Sequence, residues 1–212
     1  MPDPLVFLLD DEEAVVVALG RMLQASGFSV RAWTSASEFL SADDPEVPGC
    51  LVTDVRMPGM SGLELQRALN GRVIDRSIVF ITGQGDIATT VEAMKAGAVT
   101  FLSKPVRRAE LVAAVQEAIA KDATARAQRR ELREISRRLA SLTPREREVL
   151  DLVATGMLNK QIAAELGAAE KTIKVHRGRI MDKMQVRTAT ALVGLLSRAG
   201  SRAGPPRDSH PL

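Results

Sequence analysis

"FLLDDEEAV", Phe7 to Val15, drives an apolar run straight into four consecutive carboxylates, Asp10, Asp11, Glu12 and Glu13. Residues 5–10 read as a strand buried on both faces, the kind found in parallel sheets covered by helices on each side. Four more runs share this character: "SVRAWT" (29–34), "CLVTDV" (50–55), "SIVFIT" (77–82) and "VTFLSK" (99–104). Helical patterns fill the intervals at Ala14 to Ser26, Ser35 to Ser41, Gly62 to Leu69, Asp86 to Ala96 and Arg108 to Ala120. Five strands, each followed by a helix, predict a doubly wound α/β domain over residues 1–120 with a five-stranded parallel sheet. The continuous apolar character of strands one, three and four puts them at its centre. Sites in such sheets form where the carboxyl ends of the strands emerge, so the acidic half of the opening stretch falls on the functional edge.

The 212 residues are 45% hydrophobic, enough for one large core or two small ones. Apolar runs are short and interrupted, and Asp10 arrives before a signal-peptide core could form, which predicts a cytoplasmic protein with no membrane partner. A single cysteine, Cys50, leaves no internal disulfide framework and no Cys-based zinc site, and its place in "CLVTDV" reads as a buried strand position. The net charge of +3 hides an asymmetry. Residues 1–118 hold 10 Lys and Arg against 16 Asp and Glu, whereas residues 119–212 hold 19 against 10. An acidic half joined to a basic half predicts two domains with different partners, the second a polyanion binder.

From residue 121 the composition changes. "KDATARAQRRELREISRRLASL" (121–142) has no Gly or Pro, is rich in Arg, and sets Leu132, Ile135, Leu139 and Leu142 at spacings of three, four and three. This predicts a helical linker over 121–140 whose narrow seam pairs with a second subunit or packs on a neighbouring domain. Residues 141–200 form a small all-α domain. Thr143, Pro144 and Glu146 make a capping box with proline at the first helical position, so a helix starts at Pro144 and stops at Gly156. "NKQIAAELG" is a short helix ended by Gly167, "AAEKTIKVHRGRIMDKM" a longer one, and "TATALVGLLSRAG" the last. The tail 201–212, with Pro205, Pro206 and Pro211, reads as disordered.

Four strand ends carry polar groups: Asp10 and Asp11, Asp54, Thr82 and Lys104. A parallel sheet crowds them on one edge, where carboxylates repel unless a hard cation sits among them. Mg²⁺ suits this set, because it accepts a couple of carboxylates and keeps positions for water and phosphate oxygens. Lysine and a hydroxyl beside it suit a phosphoryl group. Taken alone, Asp11 or Glu12 is equally well explained as the cap of the next helix. "TDVRMPGMSGLEL" (53–65) adds a turn at Pro58, Gly59 and Gly62, and Pro105 follows Lys104, where a cis bond is possible.

With "LLDDEEAV", "LVTDVRMPGMSGLEL", "FITGQGD" and "AMKAGAVTFLSKP" at these spacings, the first 120 residues resemble the flavodoxin-like receiver domain of two-component response regulators. The resemblance implies that Asp54 is the phosphoacceptor, and that Asp10, Asp11 and Asp54 bind Mg²⁺ together with the Arg56 backbone carbonyl. It implies that Thr82 and Lys104 contact the phosphoryl group, with Thr82 and Phe101 as the switch pair. The implied chemistry is phosphoryl transfer from a sensor histidine kinase, or from a small acyl phosphate, onto Asp54. Arg56 and Gln84 are candidates to tune the later hydrolysis.

In "EKTIKVHRGRIMDKM" (170–184), a helical wheel places Ile173, Ile180 and Met184 on one apolar face with His176 at its edge, while Lys171, Lys174, Val175, Gly178 and Asp182 point away. A short helix, a glycine-containing turn and a helix with an exposed basic face have the layout of a helix-turn-helix. "LTPREREVLDLVATGMLNKQIAAELGAAEKTIKVHRGRIMDKM" resembles the LuxR/FixJ-type DNA-binding domain. That resemblance implies base reading by Lys174, Val175 and Gly178, and phosphate contacts by Lys171, Thr172, Arg177 and Arg179. Gly178 offers no side chain where some relatives carry lysine. The whole reads as a phosphorylation-controlled transcription regulator, not an enzyme. It implies double-stranded promoter half-sites, RNA polymerase as a further partner, and activation as the outcome. It also implies that phosphorylation controls either dimerisation, giving a homodimer, or DNA binding through release of the basic domain. A stand-alone phosphotransfer or phosphatase enzyme and a phosphorylation-independent DNA binder with a relic receiver are the competing readings.

Overall fold

The computed structural model describes residues 3–70, 76–83 and 87–200. Gln84, Asp86, and the tail with His210 lie outside the described residues. Strands β1 (Leu5–Leu9), β2 (Ser29–Trp33), β3 (Gly49–Asp54), β4 (Ser77–Thr82) and β5 (Thr100–Ser103) alternate with helices α1 (Glu13–Gln24), α2 (Ala36–Ala42), α3 (Gly62–Asn70) and α4 (Ile87–Lys95). The strands form one parallel sheet in the order β2-β1-β3-β4-β5. All residues of β3 and β4 are buried, as are four of the five in β1, whereas β2 and β5 form the partly exposed edges. Strands one, three and four are therefore central, as their unbroken apolar runs predict. Alternate residues face opposite sides: Val6, Leu8, Val52 and Val79 pack in one core layer and Phe7, Leu9, Leu51 and Phe80 in the other.

In the second layer Trp33 stacks on Phe7, their ring centroids 6.0 Å apart, and meets the edge of Phe39 at 5.3 Å. The Arg76 guanidinium lies 4.1 Å from the centre of the Phe7 ring. Arg76 also holds the loop after α2, donating from Nε to Asp43 at 2.6 Å and from its terminal nitrogens to the carbonyls of Asp44 at 2.6 Å and Val47 at 3.1 Å.

The break expected at residue 120 does not occur. Helix α5 runs without interruption over Arg108–Ala140, in keeping with a segment that has no Gly or Pro from Val106 to Ser141. Two compact units divide inside it, after Arg126. Asp122 and Arg126 are buried in the first unit. The Asp122 carboxylate accepts the Gly49 N–H at 3.0 Å and Arg126 Nε at 2.7 Å on one oxygen. Arg126 then donates to the carbonyls of Pro45, Glu46 and Val47 at 2.8–3.0 Å. Only glycine fits position 49: its φ is +148°, and an added Cβ would lie 1.9 Å from the Leu5 carbonyl oxygen.

The second unit contains α6 (Pro144–Ala154), α7 (Asn159–Glu165), α8 (Glu170–Met184) and α9 (Ala189–Gly200). Val149, Leu150, Val153, Ile162, Ile173, Ile180, Met184 and Leu192 form its core. Ile135 and Leu142 join that core and Leu139 packs against it, so most of the linker seam is covered by its own unit. Among the described residues no helix is long and apolar enough to cross a membrane.

The capping box of α6 forms as the sequence predicts, with the Glu146 N–H bonding Thr143 Oγ1 at 3.3 Å and the Thr143 N–H bonding Glu146 Oε2 at 2.9 Å. Glu146 is buried and also accepts from Lys183 Nζ at 2.6 Å, which ties the start of α6 to the last turn of α8. The Lys183 bond first, and the Thr143 N–H second, hold the Glu146 carboxyl below its ordinary range. A depressed carboxyl pKa gives stability that is complete above the unfolded value of about 4.3 and is lost as pH falls through the folded one. Melts of the second unit followed by far-UV circular dichroism are expected to drop on acidification below about pH 4. Glu146→Gln is expected to cost about 1 kcal/mol at neutral pH and to flatten that acid limb.

Candidate functional site

The carboxyl ends of β1, β3, β4 and β5 converge as a parallel sheet requires. Asp10 directly follows β1 and is 1% exposed, Asp54 closes β3 at 8%, and Thr82 closes β4 at 6%. Lys104 follows β5, and its N–H bonds the Thr82 carbonyl at 2.8 Å, which fixes the two strand ends side by side. Its ammonium reaches into the carboxylates, donating to Asp10 Oδ2 at 2.8 Å and Asp54 Oδ2 at 2.6 Å, with Glu12 Oε1 at 3.9 Å. The Lys104–Pro105 peptide is cis.

Burial pulls the Lys104 ammonium toward neutrality, but the hydrogen bonds to Asp10 and Asp54 and their charges outweigh it and raise its pKa above the ordinary lysine value. The free oxygens are oriented by backbone. Asp10 Oδ1 accepts the Glu12 N–H at 3.0 Å, and Asp54 Oδ1 accepts the Arg56 N–H at 3.0 Å. Glu12 occupies the position before α1 without a side-chain capping bond, so the capping alternative does not describe it. Asp11 is exposed, yet one oxygen each of Asp10, Asp11 and Asp54 lie within 4.8 Å of one another. Two buried carboxylates and one exposed one at this spacing fit a small hard cation, which takes oxygen ligands from few residues and keeps waters for the rest.

Gly62 supports this edge in a way that the sequence shows only as a turn residue. Its N–H bonds the Val55 carbonyl at 3.0 Å, and an added Cβ would sit 2.3 Å from the Asp54 carbonyl oxygen. The glycine at the start of α3 therefore lets that helix seat against the strand end bearing Asp54. Phe101 on β5 is half-buried, its ring stacked on Phe80 at 4.9 Å between centroids.

In the second unit Ile173, Ile180 and Met184 are buried, while Lys171, Thr172, Lys174, Val175, Gly178 and Arg179 are exposed on α8. The turn into α8 passes Gly167 at φ +59°. Arg177 does not share the open face: it is half-buried and donates to the Met157 carbonyl at 3.3 Å. His176 is also half-buried, its Nδ1 enclosed without a hydrogen-bond partner among the described residues, which accords with helix packing.

Residues 6–116 match the family described as response regulator receiver domain, and residues 140–196 match bacterial regulatory proteins of the luxR family. The chain is 44% identical over 199 residues to Nodulation protein W of Bradyrhizobium diazoefficiens, covering 94% of this chain and 88% of that protein. It is 42% identical over 212 residues to the transcriptional regulatory protein FixJ of Azorhizobium caulinodans, covering 100% of both. Among solved structures, the response regulator StyR superposes with a TM-score of 0.84 at 46% identity, covering 92% of this chain and 99% of that one. Full-length FixJ from B. japonicum gives 0.58 at 38% identity, covering 95% and 99%.

Proposed function

Because this chain belongs to the two-component response regulators that join a receiver domain to a LuxR-family DNA-binding domain, and so controls transcription, we propose that it does so through phosphorylation of Asp54. A receiver implies a histidine kinase as phosphodonor, and the helix-turn-helix implies DNA as ligand. The observation that carries the site assignment is the ammonium of Lys104 bridging Asp10 and Asp54. It supports the assignment because one cation there reaches both Asp54 and a second carboxylate at the strand ends.

Asp54 presents its carboxylate at the carboxyl end of β3, held by the Arg56 N–H. Lys104 stands within reach of phosphoryl oxygens on Asp54, and the Thr82 hydroxyl, at the next strand end, completes a donor set for them. Asp10, Asp11 and Asp54, with the Arg56 carbonyl, would hold Mg²⁺, which when bound supplies positive charge where negative charge gathers on the transferred group. Thr82 and Phe101 serve as the switch pair, Thr82 drawn toward the phosphoryl group and Phe101 turning on Phe80, so that a local charge change biases the surface of α4 and β5. That change favours a homodimer on paired half-sites.

The receiver extends through Arg126, past the expected end at residue 120, and the DNA-binding domain covers 141–200. Lys174, Val175 and Gly178 read bases, while Lys171, Thr172, Arg177 and Arg179 hold phosphates, Arg177 after leaving the Met157 carbonyl. The protein acts in the cytoplasm as an activator that engages RNA polymerase. The test is selection of binding sites from random duplexes by wild type and Asp54→Asn, each with and without acetyl phosphate and Mg²⁺. Phosphodonor is expected to strengthen wild-type binding at least tenfold and to leave Asp54→Asn unchanged, tenfold being about 1.4 kcal/mol of coupling. Equal binding under all four conditions rejects phosphorylation control.

A further inference from the structure

Gly178 occupies the middle of α8, on its exposed face, where glycine is the least favourable residue short of proline. Among the described residues nothing in the fold asks for it. Its φ is not in the left-handed region, and an added Cβ would meet no atom within 4 Å. An alanine would fit and would strengthen the helix. The reason for a bare backbone here therefore lies outside the chain, in whatever meets this face. Its neighbours on the face, three and four residues away, are Val175 and Lys174 on one side and Asp182 on the other. Val175 is itself unusual, a large apolar side chain 47% exposed among lysines and arginines.

We propose that Gly178 is a specificity-determining residue that acts through the space it leaves: with Val175 as an apolar wall, it forms a notch on α8 that receives a thymine methyl. The inference rests on the proposed reading of α8 as the DNA-reading helix and names what one part of it reads. The major groove offers one apolar feature, the C5 methyl of thymine, and small apolar surfaces are what recognise it. A lysine at this position would reach for a purine or a phosphate instead. The bare backbone also lets the helix axis come closer to the groove floor, so that Val175 touches the same methyl from the side.

The test uses the full-length protein with acetyl phosphate and Mg²⁺ on its selected site, with each thymine replaced in turn by deoxyuridine, which removes only the methyl. One position per half-site is expected to lose about fourfold in wild-type affinity, the worth of one buried methyl group. Gly178→Ala is expected to melt higher than wild type, to bind the thymine site more weakly, and to lose the distinction between thymine and deoxyuridine at that position. Gly194→Ala, another mid-helix glycine with open space around it, serves as a control and is expected to keep the distinction. Lys174→Ala reports separately on whether α8 reads bases, by a changed preference in selection.

If no thymine is sensitive to loss of its methyl, or if Gly178→Ala keeps the wild-type sensitivity, the notch is overturned. Loss of the distinction in Gly194→Ala would trace it to helix stiffness and overturn it equally. If Lys174→Ala selects the same sequences as wild type, α8 is not the reader and the underlying assignment falls too. A changed preference in Lys174→Ala, beside an unaltered Gly178→Ala, would remove the notch alone.

Discussion

Arg126→Ala is expected to lower the stability of the first unit by about 3–5 kcal/mol, the cost of leaving a buried charge without its partner. The substitution strands the Asp122 carboxylate, which is 2% exposed, with only the Gly49 N–H on the oxygen that Arg126 now shares. It also removes the donors from three carbonyls of the 45–47 loop. Urea unfolding of the full chain, wild type against Arg126→Ala, measures the loss. The double variant Arg126→Ala with Asp122→Asn is expected to recover part of it, because the orphaned charge is gone while Gly49 keeps an acceptor. A loss below about 1 kcal/mol, the ordinary scale of surface pairs, would mean that water reaches Asp122 and that the network is a surface feature.

Lys104→Ala is expected to produce the other large effect, and its size depends on the divalent ion. Without the ammonium, Asp10 and Asp54 face each other buried and unneutralised. In a chelator the variant is expected to lose about 2–3 kcal/mol, less than a fully buried pair would lose because the lysine side chain is 22% exposed. Adding Mg²⁺ is expected to raise its melting temperature more than that of wild type, since the carboxylates then have no other counter-charge. Incorporation of phosphate from acetyl phosphate is expected to fall about 100-fold, the scale of losing one donor to developing oxyanion charge. The raised lysine pKa fixes the pH dependence of the stability term. Its contribution is complete below the unfolded lysine value of about 10.4 and fades as pH rises through the higher folded one, so the deficit of the variant is constant across neutral pH.

The site was legible in the sequence because a parallel sheet does the gathering. Once the strand ends at Asp10, Asp54, Thr82 and Lys104 are recognised, their topology brings them together without any knowledge of side-chain conformation. The α6 capping box was legible for the opposite reason, being entirely local at Thr143 and Glu146. What escaped was long-range and polar. Asp122 pairs with Gly49, 73 positions away, and Arg126 with carbonyls about 80 away, inside a stretch whose charge pattern reads as a solvated linker. The uninterrupted run of helix formers after Arg108 was the available signal for one continuous α5, but composition alone does not tell a buried arginine from an exposed one. Arg177 escaped in the same way: the family resemblance marks it as a phosphate contact, and its bond to Met157 is a tertiary fact.

The aromatic packing on Phe7 has a practical consequence for every measurement above. All five phenylalanines and the single tryptophan precede residue 102, and the chain has no tyrosine. Trp33 emission and near-ultraviolet dichroism therefore report on the first unit alone, even in the intact protein. The second unit is optically silent there and is visible only through its helices. The reporter is also well placed, because the Trp33 carbonyl is the hydrogen-bond acceptor, at 3.4 Å, for the N–H of Asp10. Unfolding of the receiver can thus be followed by intrinsic fluorescence in the unlabelled full-length chain, and a change in emission on adding Mg²⁺ is the expected sign of the proposed ion beside Asp10.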